Sequence, residues 1–490
     1  MMNPVTVISD YEHYYTQTKT LQHINLSHLV SETILVSPER LDTSLSKTRF
    51  LQGASFLEGR ILNYICETVS TDYILILTKK DEVAIYPKTL EVMIDMAEKN
   101  KAGIVYCDFY EENKNEKKPH PLNDYQSGSV RDDFDFGAMM LFSTKAIRTA
   151  IKKYGAIPPM RYTGLYDIRL KISIDNPVYH INEPLYSVIQ HDKPSERKSN
   201  FAYVDPKNTH IQKEMEAVFT DYLRKIGAYI PYERLKRVDK TKNTFPVVAS
   251  VIIPVKDRKN TIADALKSAL SQKTDFSFNI IVVDNHSQDG TASIIAGLAD
   301  RHPAIKHIIP SRKDLGIGGC WNEALFSPYC GRYAVQLDSD DLYSSSYTLQ
   351  KIVDMLRQGS YAMVIGSYTI VNFNLEEIPP GLIDHREWTD ENGHNNALRI
   401  NGLGAPRAFD TDTVRGIGFL NVSYGEDYAL ALRICREFRI GRIFENLYLC
   451  RRWHGNTDAM LSIEDANRND AFKDKIRTEE ILARQVLNKK

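Results

Sequence analysis

Val247-Val248-Ala249-Ser250-Val251-Ile252-Ile253-Pro254 is an apolar run rich in β-branched residues and stopped by a proline. Such a run reads as a strand buried on both faces. Downstream of it the pattern alternates. Residues 260–272 place Ile262, Ala265, Leu266, Ala269 and Leu270 at helical spacing, and Asn279-Ile280-Ile281-Val282-Val283 is a second strand ending in Asp284. A helix is predicted over 291–301 and a short strand over 305–309. Asp314-Leu315-Gly316-Ile317-Gly318-Gly319 is a flexible turn opening a helix through Leu325, and Tyr333-Ala334-Val335-Gln336-Leu337 is a fourth strand, ending in Asp338-Ser339-Asp340-Asp341. Strands that are apolar throughout and alternate with helices indicate an α/β fold with a mostly parallel sheet covered on both faces. Ligands of such sheets bind at the carboxyl ends of the strands. Asp257, Asp284, Asp338 and Asp340 all fall just past strand ends.

The N-terminal half repeats this pattern. An offset of 260 places Tyr73-Ile74-Leu75-Ile76-Leu77 on Tyr333–Leu337, Asp81 on Asp341, Ala102–Val105 on Ala362–Ile365 and Asp167 on Asp427. One offset held over roughly 90 residues points to a duplicated unit. Val5–Ile8 and Thr33–Val36 would be its first two strands, and His191 lies near the counterpart of His454. Between the halves, Ile211, Met215, Val218, Phe219 and Leu223 form the apolar stripe of a helix. Lys236–Lys242 reads as a basic linker, and 463–490 as a charged helix packing back on the protein. The expected division is 1–205, a helical linker over 206–245, 246–460, and a C-terminal helical segment over 461–490.

Composition excludes several classes. The chain has 490 residues, with 62 Lys and Arg against 63 Asp and Glu. A net charge of −1 argues against binding nucleic acid through bulk charge. Mean hydropathy is −0.36, and no apolar run approaches the roughly 20 residues that span a bilayer. Met1-Met2-Asn3-Pro4 lacks the basic start of a secretory signal. The six cysteines contain no Cys-x-x-Cys pair, which fits a reducing compartment and buried thiols.

Three carboxylates within four residues at 338–341 repel one another unless a cation neutralises them. A solvated acidic turn is the alternative reading. Further along, Gly425-Glu426-Asp427 opens an amphipathic helix. A carboxylate there gains from the helix dipole, or serves as a base toward an incoming hydroxyl. Arg451-Arg452-Trp453-His454-Gly455-Asn456 comes after a strand-like stretch, and its histidine sits among arginines.

As an ordered set these pieces resemble the family-two inverting nucleotide-sugar glycosyltransferases of GT-A fold, over about residues 247–460. The set is Ser250–Pro254 with Asp257 and Arg258, Ile281–Gly290, Gly316–Asn322, Asp338–Asp341, Gly425–Asp427 and His454. Ser311–Gly316 departs from the family's Asn-x-Gly, and Asp257 stands where Asn is frequent. The resemblance implies a nucleotide pocket of Pro254, Asp257, Arg258, Asp284, Asp338 and Gly316, with Asp284 near the base. It implies Asp340 and His454 on a Mn2+ or Mg2+ ion, Asp427 as general base and Glu426 as an acceptor contact. The reaction would be a single displacement from a nucleoside-diphosphate donor, UDP-sugar favoured, onto a hydroxyl of a glycan or lipid-linked acceptor. Trp388, in the polar and aromatic segment 378–407, and Trp453 are candidate acceptor contacts.

The first half then looks like a second, degenerate GT-A domain. Thr78 and Lys80 stand where Asp338 and Asp340 do, and Tyr166 where Glu426 does, while Asp167 and His191 remain. A lysine in that turn would repel a divalent ion. A binding or scaffold protein of two inactive modules is the alternative, and a nucleotidyltransferase leaves the Gly-Glu-Asp helix without a role. The expected setting is cytoplasmic, at most peripheral to the inner face of a membrane, with self-association into a homo-oligomer open.

Overall fold

The computed structural model describes residues 4–10, 14–39, 46–79, 81–190, 208–239, 243–453, 456 and 461–489. The chain forms two compact units. One gathers the described residues of 1–200, 210–229 and 461–490, and the other those of 201–209 and 230–460.

The first unit contains eleven described strands: β1 (Val5–Asp10), β2 (Val30–Ser37), β3 (Thr48–Gln52), β4 (Tyr73–Leu77), β5 (Glu82–Ile85), β6 (Ile104–Cys107), β7 (Phe109–Glu112), β8 (Lys117–His120), β9 (Met139–Ser143), β10 (Val178–Ile181) and β11 (Tyr186–Ile189). Seven form a sheet of order β10-β6-β9-β4-β1-β2-β3, and the other four form a second sheet, β5-β11-β7-β8. The second unit has β12 (Ala249–Val255), β13 (Phe278–Asp284), β14 (Ile305–Ile308), β15 (Tyr333–Gln336), β16 (Leu342–Tyr343), β17 (Met363–Val371), β18 (Glu377–Ile383), β19 (Arg407–Asp410) and β20 (Ile440–Arg451). Its sheet runs β14-β13-β12-β15-β19-β17-β20-β16, with β18 paired to β17.

The two large sheets share a plan. Strands β3, β2, β1 and β4 are parallel neighbours, β9 is antiparallel to β4 and β6, and β10 is parallel to β6. Strands β14, β13, β12, β15, β19, β17 and β20 repeat these relations one for one. Register agrees too. Tyr73 faces Ser143 and Tyr333 faces Asp410. Ser143 and Asp410 then each cap the following helix, accepting the amides of Ala146 and Thr413. The repeated residues thus occupy repeated places.

The parallel strands are buried because their residues are Val, Ile and Leu on both faces. Val251, Ile252, Ile253, Ile280, Ile281, Val282 and Val283 are all fully buried. Each such side chain contributes about 1.5–3 kcal/mol relative to exposure. Helices Ile262–Leu270, Thr291–Ala299 and Ile317–Phe326 lie close to the spans their periodicity predicts. Residues 230–238, part of the stretch read as linker, belong to the second unit, where Lys236 exchanges backbone hydrogen bonds with Glu437 and Arg439. Among the described residues, no helix is long and apolar enough to cross a membrane.

The C-terminal helix Ile463–Asn488 completes the first unit. Its capping residue Ser462 accepts the Asp465 amide. Asp474 is fully buried, accepts Arg477 Nη1 at 2.7 Å and Ser129 Oγ at 2.8 Å, and lies 3.3 Å from Arg131 Nε. A buried arginine stripped of its carboxylate is left with uncompensated charge. Asp474→Ala should therefore destabilise the first unit by about 3 kcal/mol, read as an earlier urea midpoint. An unchanged midpoint would show that Arg131 and Arg477 find other partners.

In the smaller sheet, His120 stacks on Phe109 at 4.3 Å and sits 3.0 Å from Glu111 and 3.6 Å from Asp135. Burial alone lowers its pKa, but the hydrogen bonds to Asp135 and Glu111 outweigh this and raise it to about 9. A histidine whose folded pKa lies above its unfolded value stabilises fully below about pH 6.5, and that stabilisation is lost as pH rises through 9. His120→Gln should lower the unfolding free energy more at pH 6 than at pH 9.5, by about 3 kcal/mol, read from urea midpoints at the two pH values. Equal losses at both pH values would contradict the assignment.

Candidate functional site

In the second unit, the segment after β12 makes a tight turn. Asp257 has φ of 51°, and its carboxylate accepts the Gln288 amide at 2.7 Å. Its own amide donates to Ser287 Oγ, the Arg258 amide to Thr291 Oγ1 and the Lys259 amide to Asp289. The turns after β12 and β13 are thus laced together. Asp284, at the end of β13, is buried. It accepts the Ser287 amide through Oδ1 while Oδ2 lies 3.5 Å from His307 Nε2. Its neighbour Asn285 donates to Leu315 O and lines a cleft of about 340 Å³. Pro254, Asp257, Arg258, Ile317, Ser339 and Ser423 line the same cleft. It therefore lies at the carboxyl ends of β12, β13 and β15, where the alternation of strands and helices predicts it.

Glycine makes the far wall possible. A side chain on Gly318 would place Cβ 1.9 Å from Leu420 O, and one on Gly316 2.4 Å from the Val422 carbonyl carbon. The Gly318 amide donates to Val422 O, and the Gly316 amide to Asn421 Oδ1. The backbone of 420–422 thus lies directly on the start of the helix Ile317–Phe326, and it leads straight into the helix Glu426–Cys435. A Cβ on Gly318 would also stand 3.0 Å from Glu426 Cβ, so the absence of a side chain there lets the two helix starts approach.

The acidic turn is braced from several sides. Gln336 Nε2 donates to both Asp338 oxygens at 3.0 Å, and the Asp338 amide donates to Tyr448 Oη. Asp341 accepts the Arg451 amide, and Arg451 Nε donates to Asp340 O at 2.6 Å. Asp340 Oδ2 receives Trp453 Nε1 at 3.2 Å and Asn456 Nδ2 at 3.3 Å, with Arg258 Nε 3.9 Å away. Burial raises the Asp338 pKa above the usual carboxylate range. Burial, then Asp338 and Asp340, raise Asp341 much further. Burial and mutual proximity thus work against these carboxylates being ionised together without a counter-cation.

Across from it, Asp427 Oδ2 meets Arg407 Nη1 at 2.6 Å, and Glu426 is almost fully buried with Oε2 lacking a hydrogen bond. Burial and the adjacent Asp427 push the Glu426 pKa up to about 8. Arg407 faces Asp427, Asp338 and Glu426 together.

Of the residues singled out in the sequence, Pro254, Asp257 and Arg258 line the cleft, and Gly316 caps the helix beside it. Asp284 points into its own turn and toward His307. Trp388 is buried: Arg442 lies over its ring at 5.5 Å, and Gly393 approaches it closely. Its ring contacts are internal, unlike an open sugar platform. Trp453 instead stands beside Asp340 and packs on the half-exposed Phe373 at 5.6 Å. His454, Lys80 and His191 lie outside the described residues. Arg451, quoted in the late motif, braces the acidic turn, and Gln336, Arg407 and Tyr448 belong to the site without having been singled out by motif or spacing. A glutamine inside the apolar strand Tyr333–Leu337 is the one available signal, because something polar has to meet it there.

The corresponding places in the first unit are closed by their own neighbours. The Thr78 hydroxyl donates to Gly137 O and Tyr166 Oη to Val130 O. Asp167 is buried against Lys171, four residues along its own helix, at 2.6 Å. Lys79 lies over the Phe109 ring and 3.7 Å from Asp135.

Comparison with known proteins agrees with this geometry. Residues 250–415 match the family model of glycosyl transferase family 2. An uncharacterized glycosyltransferase of Rickettsia conorii is 26% identical over 204 residues, which cover 40% of this chain and 32% of that protein. The chain thus spans about a third of the length of the curated relative it matches. Similar solved structures include S. aureus TarS 1–349 in complex with UDP-GlcNAc, 22% identical with a TM-score of 0.38, covering 48% of this chain and 72% of that one. The mannosyltransferase PcManGT of Pyrobaculum calidifontis, in complex with GDP-Man and Mn2+, is 16% identical with a TM-score of 0.33, covering 58% of this chain and 85% of that one. Residues 250–415, which hold β12 to β19 and the acidic turn at the tip of β15, are thus the part of the chain that matches glycosyl transferase family 2.

Proposed function

We propose that the second unit transfers a sugar from a nucleoside-diphosphate donor, a UDP-sugar by preference, to a hydroxyl of a glycan or lipid-linked acceptor, with inversion. The observation that carries this reading is the single cleft that Ser339 of the acidic turn and Ser423 before the Glu426 helix both line, with Pro254–Arg258 between them. That arrangement sets a polyanion site beside a carboxylate able to take a proton.

Asp338 and Asp340 fit a Mn2+ or Mg2+ ion. Their carboxylates are crowded in one turn at the end of β15, and all its donors are hard oxygens. Among the described residues no three His, Cys, Asp or Glu side chains are already gathered as a metal cage. Asp338 and Asp340 would hold such an ion together with the donor's phosphates. When bound, such an ion neutralises charge building on the leaving diphosphate. The protein's own residues do the rest. Asp427 takes the proton of the attacking hydroxyl. Glu426, protonated near neutral pH, donates a hydrogen bond to the acceptor. Trp453, with Phe373 beside it, offers an aromatic face to a sugar. Asn285, which lines the cleft, is better placed than Asp284 to meet the nucleobase.

The first unit is proposed to be non-catalytic, because the hydroxyls and the carboxylate at its corresponding positions are spent on internal partners. Holding the acceptor, self-association or support of the second unit are its remaining roles. The setting we propose is cytoplasmic, with the membrane met at most peripherally, through a lipid-linked acceptor.

The test is transfer and donor hydrolysis by purified protein with a panel of nucleotide sugars and Mn2+. Asp427→Ala should lose transfer by on the order of 10²–10⁴-fold while still binding nucleotide. Asp340→Ala should lose the thermal stabilisation that UDP and Mn2+ together give the wild type. Wild-type turnover in both variants would refute the assigned roles.

A further inference from the structure

Asp427 and Asp338, neighbours in sequence of the Ser423–Asp427 and Ser339 segments that reach the cleft, are joined by a polar strand pair. Arg407, the first residue of β19, places Nη1 2.6 Å from Asp427 Oδ2 and 3.1 Å from Gly404 O. Its backbone amide donates to Gln336 Oε1 at 3.1 Å. Gln336, the last residue of β15, gives its amide hydrogens to both oxygens of Asp338. One unbroken path therefore runs Asp427–Arg407–Gln336–Asp338.

The duplicated unit supplies an internal control. The register that sets Tyr333 opposite Asp410 sets Tyr73 opposite Ser143. Continuing it, the place of Gln336 and Arg407 is taken by Ile76 and Met140, which face each other and are both buried. That apolar pair is what the sheet uses where no acidic turn comes next. Where Asp338 and Asp340 come next, the same two positions carry a buried amide and a guanidinium. Burying such groups costs free energy unless their partners are supplied, and the apolar pair avoids that cost. In the first unit the equivalent aspartate, Asp167, turns to Lys171 on its own helix instead.

We infer that Arg407 is a positioning residue for transfer: it anchors the Asp427 carboxylate through a direct ion pair, and through Gln336 it keeps that carboxylate in fixed register with Asp338. The inference rests on the transfer chemistry proposed above. The charged and titratable groups facing Arg407 are Asp427, Asp338, Glu426 and Tyr448. A guanidinium suits this place because it stays charged, and its Nη1, which carries two hydrogens in a fixed plane, meets both Asp427 and Gly404 O.

The test uses the full chain with Arg407→Met and Arg407→Lys. The methionine variant should lower kcat by roughly 100-fold, with donor KM and the affinity for UDP and Mn2+ changed by less than about threefold. The lysine variant keeps the charge without the fork and should recover part of the loss. In parallel, carbodiimide labelling of Asp427 near pH 6, read by peptide mass spectrometry, should rise several-fold in Arg407→Met, because the reagent takes the protonated acid and the cation favouring the charged form is gone. This arm needs no turnover, so it decides the role of Arg407 even if the transfer reading of the cleft fails. Unchanged labelling overturns the inference, as does a parallel fall of kcat and nucleotide affinity. The double variant Gln336→Ile with Arg407→Met, which installs the first unit's own pair, should remain folded; a collapse of its unfolding midpoint would mean the polar pair is structural.

Discussion

Like charge crowded into one turn has to be met by something, and in the second unit that need shapes the surroundings of β15. Asp338, Asp340 and Asp341 leave the strand together. Arg451 answers from beneath, with its amide on Asp341 and its guanidinium on the Asp340 carbonyl. Arg407 answers from the side. Neither arginine is near the turn in sequence. They arrive because β19 runs antiparallel beside β15, and because β20 brings 448–451 back alongside the end of β17. The mixed part of the sheet is thus the device that carries late residues to the tip of an early strand. Antiparallel β19 brings its first residue to this edge, whereas β20, which runs the same way as β15, brings its last.

The same dependence on backbone approach appears at the helix Ile317–Phe326. Its glycines read in the sequence as a flexible turn opening a helix. In the fold they serve first as a seat for residues 420–422, since a methyl group at Gly318 would overlap the Leu420 carbonyl oxygen. The seat fixes where the Glu426 helix begins. Two glycines therefore determine the placement of a carboxylate more than a hundred residues away in sequence, through sterics alone.

The legible part of the sequence reflects this division of labour. Strands whose residues are apolar on both faces, such as 251–253 and 280–283, announce themselves, and so do the aspartates at their ends. The repeat is legible because offset and strand length are local properties. The smaller sheet of the first unit is not: its strands are four residues long and mix lysine, glutamate and tyrosine. The burial of Trp388 is equally hidden. Arg442 and Gly393 enclose its ring, and neither is marked by spacing. Gln336 is visible as a polar residue in an apolar strand, but its partner Arg407 becomes recognisable only once β19 is known to be antiparallel and in register.

The duplication also shows that the frame does not itself demand the chemistry. Both sheets have the same order, the same register at β4/β9 and β15/β19, and a helix cap at the same position. In one, Thr78 and Tyr166 spend their hydroxyls on nearby carbonyls, and Ile76 packs on Met140. In the other, the matching positions leave Glu426 Oε2 without a hydrogen bond and crowd carboxylates at a cleft. Unsatisfied and crowded groups cost stability. The unit that carries that cost is the one with an open cleft beside its acidic turn, and the unit that avoids it has turned the same positions inward. Stability alone explains the first arrangement; the second fits the donor site proposed above, whose ligand would supply the hydrogen-bond partners that the protein leaves open there.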